Sequence, residues 1–527
     1  MIRRRGRIVV RVYFSFMACM VLIGCGGVPD DRASTLRINL GNEPPTLDWS
    51  LATDSTSFVV IMNIMEGLAE FDEGLNPRPN MARKWDVSPD GKRYVFHLRP
   101  DAVWTDGRPV TADDYVYAWR RLLDPKTGSE YAYFLFDVEG AEDFNAGKNK
   151  DPESVGIRAL SSTRLEVRLR KPVVFFPSLV TFPATFPLRR DVVEKHGDRW
   201  TEPENIVTNG PFSLGRWEHE YKIEIVPNPR YFGPRPKLDR VRMFMVRDGA
   251  TSLTLYETGD LDVTGLMPVA IPAYRNRPDF ANNPVLRGNY VAFNVTKPPF
   301  TDPRVRRAFG HAIDRTQIPP ILQGGEIATT SWIPIGMFGH EPSIGLRFDP
   351  DRARALLAEA GFPDGQNLPP VTMVYATDPT SRLLAENIQA QWKKNLNAAV
   401  AIDNLEWKVF LSRLNADAPQ IYRLGWGADY PDPDNFMALW TSTSGNNRTR
   451  WKNEAYDRLV ARGTEEADPK RRKAIYDEAQ RVLLEREAPI VPVYFSASNR
   501  LIHPRVRGFP ANPLDLWILK PVSLEGR

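Results

Sequence analysis

The chain has 527 residues, among them 69 Lys and Arg, 65 Asp and Glu, 46 Pro and only two Cys. Five arginines and no acid lie in residues 1–24, so without that segment 64 basic residues stand against 65 acidic ones and the net charge is −1. With this balance, net charge gives no reason to expect nucleic-acid binding. Because Cys19 is lost with the same segment, the remaining chain has one cysteine and can form neither an internal disulfide nor a cysteine zinc site.

The N-terminus has the pattern of an export signal. The basic start MIRRRGR precedes the apolar run IVVRVYFSFMACMVLIG (8–24), which is typical of a signal peptide and too short for a confident membrane span. The ending LIGC (22–25) looks like a bacterial lipobox, in which cleavage precedes the cysteine and its sulfur carries diacylglycerol. We therefore predict a lipoprotein signal peptide at 1–24, a lipidated Cys25, and a location in the cell envelope, in the periplasm or on the outer face of the membrane. A plain secretory peptide with an incidental Cys25 is the alternative.

Strand and helix patterns follow each other along the rest of the chain. The strand candidates share alternating or β-branched residues: TLRINLG (35–41), RYVFHLRP (93–100), RLEVRLR (164–170), VTMVYAT (371–377) and IVPVYFS (490–496). The helix candidates share polar or proline starts: after Thr111 with Asp114 as a capping box, after Asp302, after Asp349 and up to Gly361, and after Pro469.

This alternation predicts an α/β chain of several lobes. There is no internal repeat, no low-complexity block and no Gly/Ser-rich linker, and the length is ample for two or more domains. We expect the lobes to be joined by short strand crossings.

The usual catalytic signatures are absent. The sequence contains no G-x-S-x-G elbow, no phosphate loop and no H-E-x-x-H helix, and its six histidines are widely spaced. Asp429, Asp432 and Asp434 suggest calcium, but an EF-hand needs Gly at position six and Glu at twelve, where this chain has Asp434 and Trp440. We therefore predict neither an enzyme nor a metal site or cofactor.

The segment RLGWGADYPDPDNF (423–436) is the most informative part of the chain. If 421–427 is a strand, Gly425 and Gly427 weaken it, and glycines in a strand often indicate that another backbone comes close. That backbone could be an extended peptide ligand added as a further strand, with Trp426 as a wall for a ligand side chain.

Charges flank this strand. Arg423 and Asp429 have the same parity and lie about 20 Å apart along a regular strand, whereas a tripeptide spans about 10 Å. Arg423 is long and Pro431 bends the exit, so Asp429 could bind an α-ammonium and Arg423 an α-carboxylate of an antiparallel ligand. The plain alternative is a strand that ends in an Asp-Pro turn, with both charges in solvated ion pairs.

Many segments together resemble one family, the extracellular solute-binding proteins of family 5, and within it the oligopeptide receptors of bacterial ABC importers. The matching segments span nearly the whole mature chain: EPPTLDW (43–49), MEGLAEFD (65–72), WTDGRPVTADDYVYAWRRLLDP (104–125), NIVTNGPF (205–212), FTDPRVRRAFGHAIDR (300–315), AEAGF (358–362), QWKKNLN (391–397), EWKVF (406–410), GWGADYPDP (425–433) and IVPVYF (490–495).

The resemblance implies a periplasmic-binding-protein-like α/β fold, with two hinged lobes around a ligand cleft and an extra subdomain. It places lobe I at 25–65, 190–290 and 491–527, subdomain II at 66–189, and lobe III at 291–490. The ligand would be enclosed between the lobes.

The resemblance also implies a set of ligand contacts. Asp429 matches the aspartate that pairs with the peptide amino group, and Arg423 matches the arginine that binds a tripeptide carboxylate. The remaining implied contacts are with the ligand backbone, the cleft lining and a side-chain pocket: Gly425, Trp426, Gly427, Thr53, Asp54, Ser55, Tyr131 and Trp407.

Two departures from enteric relatives concern the site. A disulfide cysteine of those relatives is Gly427 here, and a histidine that binds the carboxylates of longer peptides is replaced near Ser381. The expected function is a lipid-anchored, monomeric receptor that captures short peptides, tripeptides first, and delivers them to an ABC permease. The alternatives are a family receptor for a dipeptide, murein peptide, nickel chelate, haem or oligosaccharide, and, from another class, a secreted hydrolase.

Overall fold

A computed structural model of the chain describes residues 33–525. The predicted signal peptide and Cys25 lie outside the described residues. The strands of the described range are β1 (Thr35–Asn39), β2 (Ala69–Phe71), β3 (Pro77–Pro79), β4 (Ala82–Val87), β5 (Arg93–Leu98), β6 (Ile157–Ser161), β7 (Arg164–Arg168), β8 (Phe212–Glu218), β9 (Lys222–Pro227), β10 (Arg240–Phe244), β11 (Val263–Gly265), β12 (Phe280–Phe293), β13 (Ile327–Ala328), β14 (Val371–Ala376), β15 (Val400–Leu405), β16 (Ile421–Gly427), β17 (Ile490–Ile502), β18 (Val506–Arg507) and β19 (Ser523–Leu524).

Helices alternate with these strands through most of the same range. They are α1 (Ser55–Ile64), α2 (Ala112–Leu123), α3 (Ala141–Asn145), α4 (Phe176–Leu179), α5 (Arg190–His196), α6 (Gly249–Glu257), α7 (Ile271–Tyr274), α8 (Pro303–His311), α9 (Ile318–Leu322), α10 (Pro350–Glu359), α11 (Pro379–Leu396), α12 (Trp407–Asp417), α13 (Asp434–Met437), α14 (Glu454–Glu465) and α15 (Pro469–Arg481).

One large sheet runs through the molecule. Its strand order is β15-β14-β16-β12-β17-β11-β1-β10-β9-β8, with β13 attached to β17. The long strands β12 and β17 are antiparallel neighbours: β12 also pairs with β16, and β17 continues to pair with β11. These two strands therefore connect the two halves of the sheet, as expected for lobes joined by strand crossings.

Each half of the sheet has its own hydrophobic core. In the half with β14 and β16, one face packs on α8, α10 and α11 and the other face packs on α12 to α15. The half with β1, β9 and β10 shares one core with helix α2 and with the separate sheet β4-β5-β7-β6. This small sheet lies in the segment that the sequence assigns to subdomain II, although the boundaries themselves remain predictions.

The predicted elements are confirmed in position and type. β1, β5, β7, β14 and the start of β17 coincide with the five strand candidates. Helix α2 begins after Thr111, whose backbone N–H donates to the Asp114 carboxylate at 2.7 Å. Asp302 and Asp349 are themselves the N-cap residues of α8 and α10, and their side chains accept from a backbone N–H of the first turn.

The last predicted helix differs in its final turn. The pattern after Pro469 predicts one continuous helix to Glu487, whereas α15 ends at Arg481 and a π-helical segment covers Val482–Glu487. The wider turn brings Val482, Leu483 and Leu484 into the core together before the chain enters β17. Within residues 33–525, no helix combines the length and apolar composition that crossing a bilayer requires.

Candidate ligand-binding site

Strand β16 carries the segment that the sequence singles out. It spans 421–427 as predicted and pairs antiparallel with β12, so that Gly425 lies opposite Asn289 and Gly427 opposite Arg287. Because directly paired residues of an antiparallel sheet share a face, Arg423, Gly425 and Gly427 lie on the same face as Asn289 and Arg287.

The two glycines make room for side chains of the neighbouring strand. A Cβ atom on Gly425 would lie 2.9 Å from Oδ1 of Asn289, and one on Gly427 would lie 3.2 Å from Nη2 of Arg287. The sequence suggested a ligand backbone as the reason for these glycines. The structure gives a reason within the protein itself, and contact with a ligand at 425–427 stays a prediction.

Arg423 is a partly buried cation held by neutral groups. Its Nη1 donates to Oγ of Ser381 at 2.6 Å, and its Nη2 donates to Oδ1 of Asn289 at 2.9 Å and to the hydroxyl of Tyr494 at 2.8 Å. Among residues 33–525 it forms no ion pair, and its buried Nε has no hydrogen-bond partner. A buried charge is costly unless it is paired, so an anion at this guanidinium would stabilise it.

Asp429 is the corresponding acid. Its carboxylate accepts from the hydroxyls of Tyr131 at 3.2 Å and Tyr133 at 3.4 Å and from Nδ2 of Asn435 at 3.4 Å. Burial raises the pKa of Asp429 to about 6, although Asn435, the two tyrosines and the charge of Arg287 oppose the rise. No ion pair of Asp429 occurs in the described part of the chain.

The predicted subdomain II, through Tyr131, and the start of α1 supply the residues on the other side of Asp429, here called the opposite wall. Asp54 caps this helix by accepting from the N–H of Ser57 at 2.9 Å. The ring of Phe58, one turn further, lies 6.0 Å from the ring of Tyr131. Burial and the charges of Asp429, Glu130 and Asp54 raise the pKa of Tyr131, so the hydroxyl stays protonated and acts as a donor.

The structure therefore brings most of the predicted residues to one place. The charge of Asp54 acts on Tyr131, which contacts Asp429 directly, and the residues on either side of Asp54, Thr53 and Ser55, are exposed. Strand β16 joins this group to Arg423. These contacts span three segments that are far apart in sequence.

The two predicted tryptophans lie differently from the rest. Trp426 packs its ring toward the core on the other face of the sheet, and its Nε1 donates to Oδ1 of Asn435 at 2.9 Å. Trp407 is the first residue of α12, 51% exposed, with its ring 6.2 Å from that of Phe410. No hydrogen bond or ring contact in residues 33–525 joins Trp407 to Asp429 or Arg423, and its ligand role stays a prediction.

The other two aspartates of the motif are structural. Asp432 receives both Nη atoms of Arg472, at 2.7 and 2.8 Å, inside the core. Asp434 accepts from Thr464 at 2.8 Å, and burial together with the charge of Asp432 raises its pKa to about 6. These contacts fix the turn that follows Asp429.

Sequence reasoning missed most of the residues that hold the two charges. They are Asn289 and Tyr494, which with Ser381 bind Arg423, and Tyr133 and Asn435, which bind Asp429. Ser381 entered the sequence analysis only as the position near which a histidine of relatives is replaced. Tyr133 and Asn435 lie two and six residues from predicted members of the site. This closeness in sequence to Tyr131 and to Asp429 is the signal that could have found them.

The fold and the site define a class: a solute-binding protein with two α/β lobes, in which two opposite charges, Arg423 and Asp429, form no ion pair among residues 33–525. The chain belongs to the bacterial extracellular solute-binding proteins of family 5, because the sequence model described as "Bacterial extracellular solute-binding proteins, family 5 Middle" matches residues 76–448.

Relatives of known sequence support the same placement over the full length. The periplasmic oligopeptide-binding protein of Salmonella typhimurium is 34% identical over 94% of each chain. A dipeptide-binding protein of Bacillus subtilis and a probable deoxycholate-binding periplasmic protein of Escherichia coli are each 34% identical over 93% of both chains.

Solved structures give the same result. The murein tripeptide-binding protein of Escherichia coli matches with a TM-score of 0.82 and 32% identity, over 94% of this chain and 99% of that chain. The Haemophilus influenzae oligopeptide-binding protein in complex with the peptide RPPGFSPFR matches with a TM-score of 0.80 and 29% identity, over the same shares.

Proposed function

We propose that this protein captures short peptides between its lobes and delivers them to the permease of an ABC importer, without catalysing a reaction. One observation carries the proposal: Arg423 and Asp429, on and just beyond one strand, are opposite charges without ion-pair partners among residues 33–525. A short peptide has an ammonium and a carboxylate at its two ends, and such a ligand satisfies both.

The strand between the two charges suits a general peptide receptor. Main-chain hydrogen bonds do not depend on side-chain identity, so a strand that offers its backbone can accept many sequences. The two charges then select for free termini. Ligands that contact both walls of the site favour the closed arrangement, since they bind it more tightly than the open one.

The names of relatives agree with peptides as the cargo. Among the proteins described above, one is named for oligopeptides, one for dipeptides and one for a murein tripeptide, and one was solved with a bound nonapeptide. Both charges are present in this chain, which favours zwitterionic peptides. Arg423 matches the arginine that binds a tripeptide carboxylate, which favours tripeptides.

Another cargo is the alternative. A dipeptide or murein peptide would still use both charges, whereas a nickel chelate, haem or oligosaccharide gives Asp429 no ammonium. A bile-acid anion, suggested by the name of the Escherichia coli relative, has one carboxylate for Arg423 and nothing for Asp429. Of these alternatives, the nickel chelate, haem, oligosaccharide and bile acid leave at least one of the two charges without a partner, whereas a peptide with free termini satisfies both.

The proposal includes an envelope location. We infer that the mature protein begins at Cys25, acts as a monomer and is held at the membrane by lipid on that residue. Intact mass spectrometry of the protein from membranes tests the anchor: a mass that matches the unmodified chain from Cys25 would contradict it.

Native mass spectrometry of freshly purified protein tests the cargo. We expect a series of bound masses that fragment as peptides with free amino termini. A single sugar, chelate, haem or bile-acid mass would overturn the assignment. Peptide cleaved during long incubation with the protein would instead favour a hydrolase.

A further inference from the structure

Arg287 is a cation near the site that the proposed peptide termini leave unused. It lies on β12 directly opposite Gly427, its side chain is exposed, and it forms no hydrogen bond or ion pair in the described part of the chain. An exposed arginine without a partner is ordinary on a protein surface. The position of this one within the site is what distinguishes it.

The guanidinium lies over Gly427. Three of its atoms, Nη2, Cζ and Nε, lie 3.2, 3.5 and 3.5 Å from the place where a Cβ on residue 427 would be. A Cβ at 427 would press on the guanidinium, which would have to shift by a few tenths of an ångström. The group is therefore seated on the strand itself, on the face that also carries Arg423 and Gly425.

Arg287 is also electrostatically coupled to Asp429. Its charge is among the influences that lower the pKa of that carboxyl group against the effect of burial. The acids near Tyr131, which are Asp54 and Glu130, belong to the opposite wall. Charges of both signs thus act on the end of the site that contains Asp429 and Tyr131.

The orientation of the proposed ligand places its first residue beside this arginine. With the ammonium at Asp429 and the chain antiparallel to β16, the first residue lies near Gly427, because strand residues are spaced about 3.3 Å apart. A side chain directed toward this face of the sheet meets Arg287 before any other charged group of the strand pair.

We propose that Arg287 makes the site favour peptides with an acidic side chain at their first position. The inference rests on the proposed peptide-binding function. A carboxylate at this position gains a charged partner, whereas a lysine side chain is repelled and has to turn toward the opposite wall. Arg287 is a specificity residue in this scheme and is not needed for binding as such.

Calorimetry on ligand-stripped protein with three peptides tests the proposal: Glu-Ala-Ala, Gln-Ala-Ala and Lys-Ala-Ala. In the native protein we expect affinity to fall in that order, with about a tenfold difference between Glu and Lys. In Arg287→Gln the difference should fall to about twofold or less, while the affinity for Gln-Ala-Ala changes little. Added salt should reduce the discrimination by the native protein, because the charges are near solvent.

Arg458→Gln is the matched control, since it removes an exposed arginine on α14 whose one hydrogen bond and ion pair among residues 33–525 is the i,i+4 contact with Glu454. It should keep the native order and ratio. Three results would overturn the inference: an unchanged ratio in folded Arg287→Gln, a preference for lysine in the native protein, or an equal change for all three peptides, which would show that Arg287 only offsets the charge of Asp429. If the native protein binds none of the peptides, the proposed function fails instead.

Discussion

The carboxyl group of Asp429 is buried, and burial disfavours its ionised form. Replacing it with Ala leaves a ligand ammonium without a partner in a poorly hydrated site, and we expect peptide affinity to fall by about 100-fold or more, since breaking a buried pair costs about 3–5 kcal/mol. Asp429→Asn should lose less, because its amide oxygen can still accept a hydrogen bond. Unchanged calorimetric affinity in folded Asp429→Ala would remove the assigned role.

The raised pKa of Asp429 predicts a pH-dependent affinity. With a pKa of about 6 in the empty protein, the carboxyl is ionised at pH 7 and increasingly protonated below pH 6. Binding an ammonium needs the ionised form, so affinity should fall by about tenfold per pH unit between pH 5.5 and 4.5 and be constant above pH 7. Calorimetry across pH 4.5–8 checks this, and Asp429→Asn should show a flat profile over the same range.

At the residue scale, sequence could indicate the two charges but not what holds them. Arg423 and Asp429 are six residues apart, which places them on one face of a regular strand, and an Asp-Pro turn follows. This pattern indicates both residues as candidates for binding the ligand termini. The partners of Arg423 lie 42, 71 and 134 residues away in sequence. Such contacts arise from tertiary packing and leave no local pattern.

At the scale of elements, the pairing of β16 with β12 determines how Arg423 is presented. A methyl group in Gly425→Ala would lie 2.9 Å from Oδ1 of Asn289, which must move and so release one hydrogen bond to Arg423. Loss of a hydrogen bond to a charged group costs about 1.5–3 kcal/mol, so we expect tripeptide affinity to fall by at least about tenfold.

Gly445→Ala is the control for this change, because a Cβ at that exposed position has no neighbour within 4 Å. Equal calorimetric affinities for the Gly425 and Gly445 variants would show that Asn289 does not position Arg423.

Elements were easier to predict than contacts, because their signals are local. Asp302 and Asp349 mark the starts of α8 and α10 by capping, and alternation marks β1 and β5. The change from α15 to a π-helix at Val482 has no such signal. It follows from the fit of three buried side chains to a core that the rest of the chain provides.

At the scale of the whole molecule, Tyr430 connects the two sides of the site. Its ring is only 6% exposed and lies between Phe134, at 5.7 Å and edge-on, and Phe175, at 5.3 Å and stacked. Both phenylalanines belong to the predicted subdomain II, whereas Tyr430 directly follows Asp429. Closure would therefore bury this ring at the same time as it encloses the ligand.

We predict that Tyr430→Ala shifts the population toward an open form. Loss of the ring removes aromatic contacts that the closed arrangement gains. The observed peptide affinity should then fall in proportion to the fraction of molecules that can still close. Small-angle scattering with saturating peptide should show a larger radius of gyration than for the native protein. Tyr430→Phe keeps the ring and should close normally; identical scattering and affinity for the Ala variant would contradict this role.

Strands β12 and β17, which join the two halves of the sheet, determine how bound ligand could be detected from outside the protein. β12 and β17 stay hydrogen-bonded over most of their length, with register shifts between Pro284 and Gly288 and between Asn289 and Tyr290. A rotation of one half against the other has to twist this bonded ribbon, and the interruptions of its pairing are where it yields most easily. We therefore expect the proposed opening to be confined to a narrow set of angles, so that a permease touching the outer faces of both lobes could distinguish the full from the empty protein by geometry alone, without contacting the ligand.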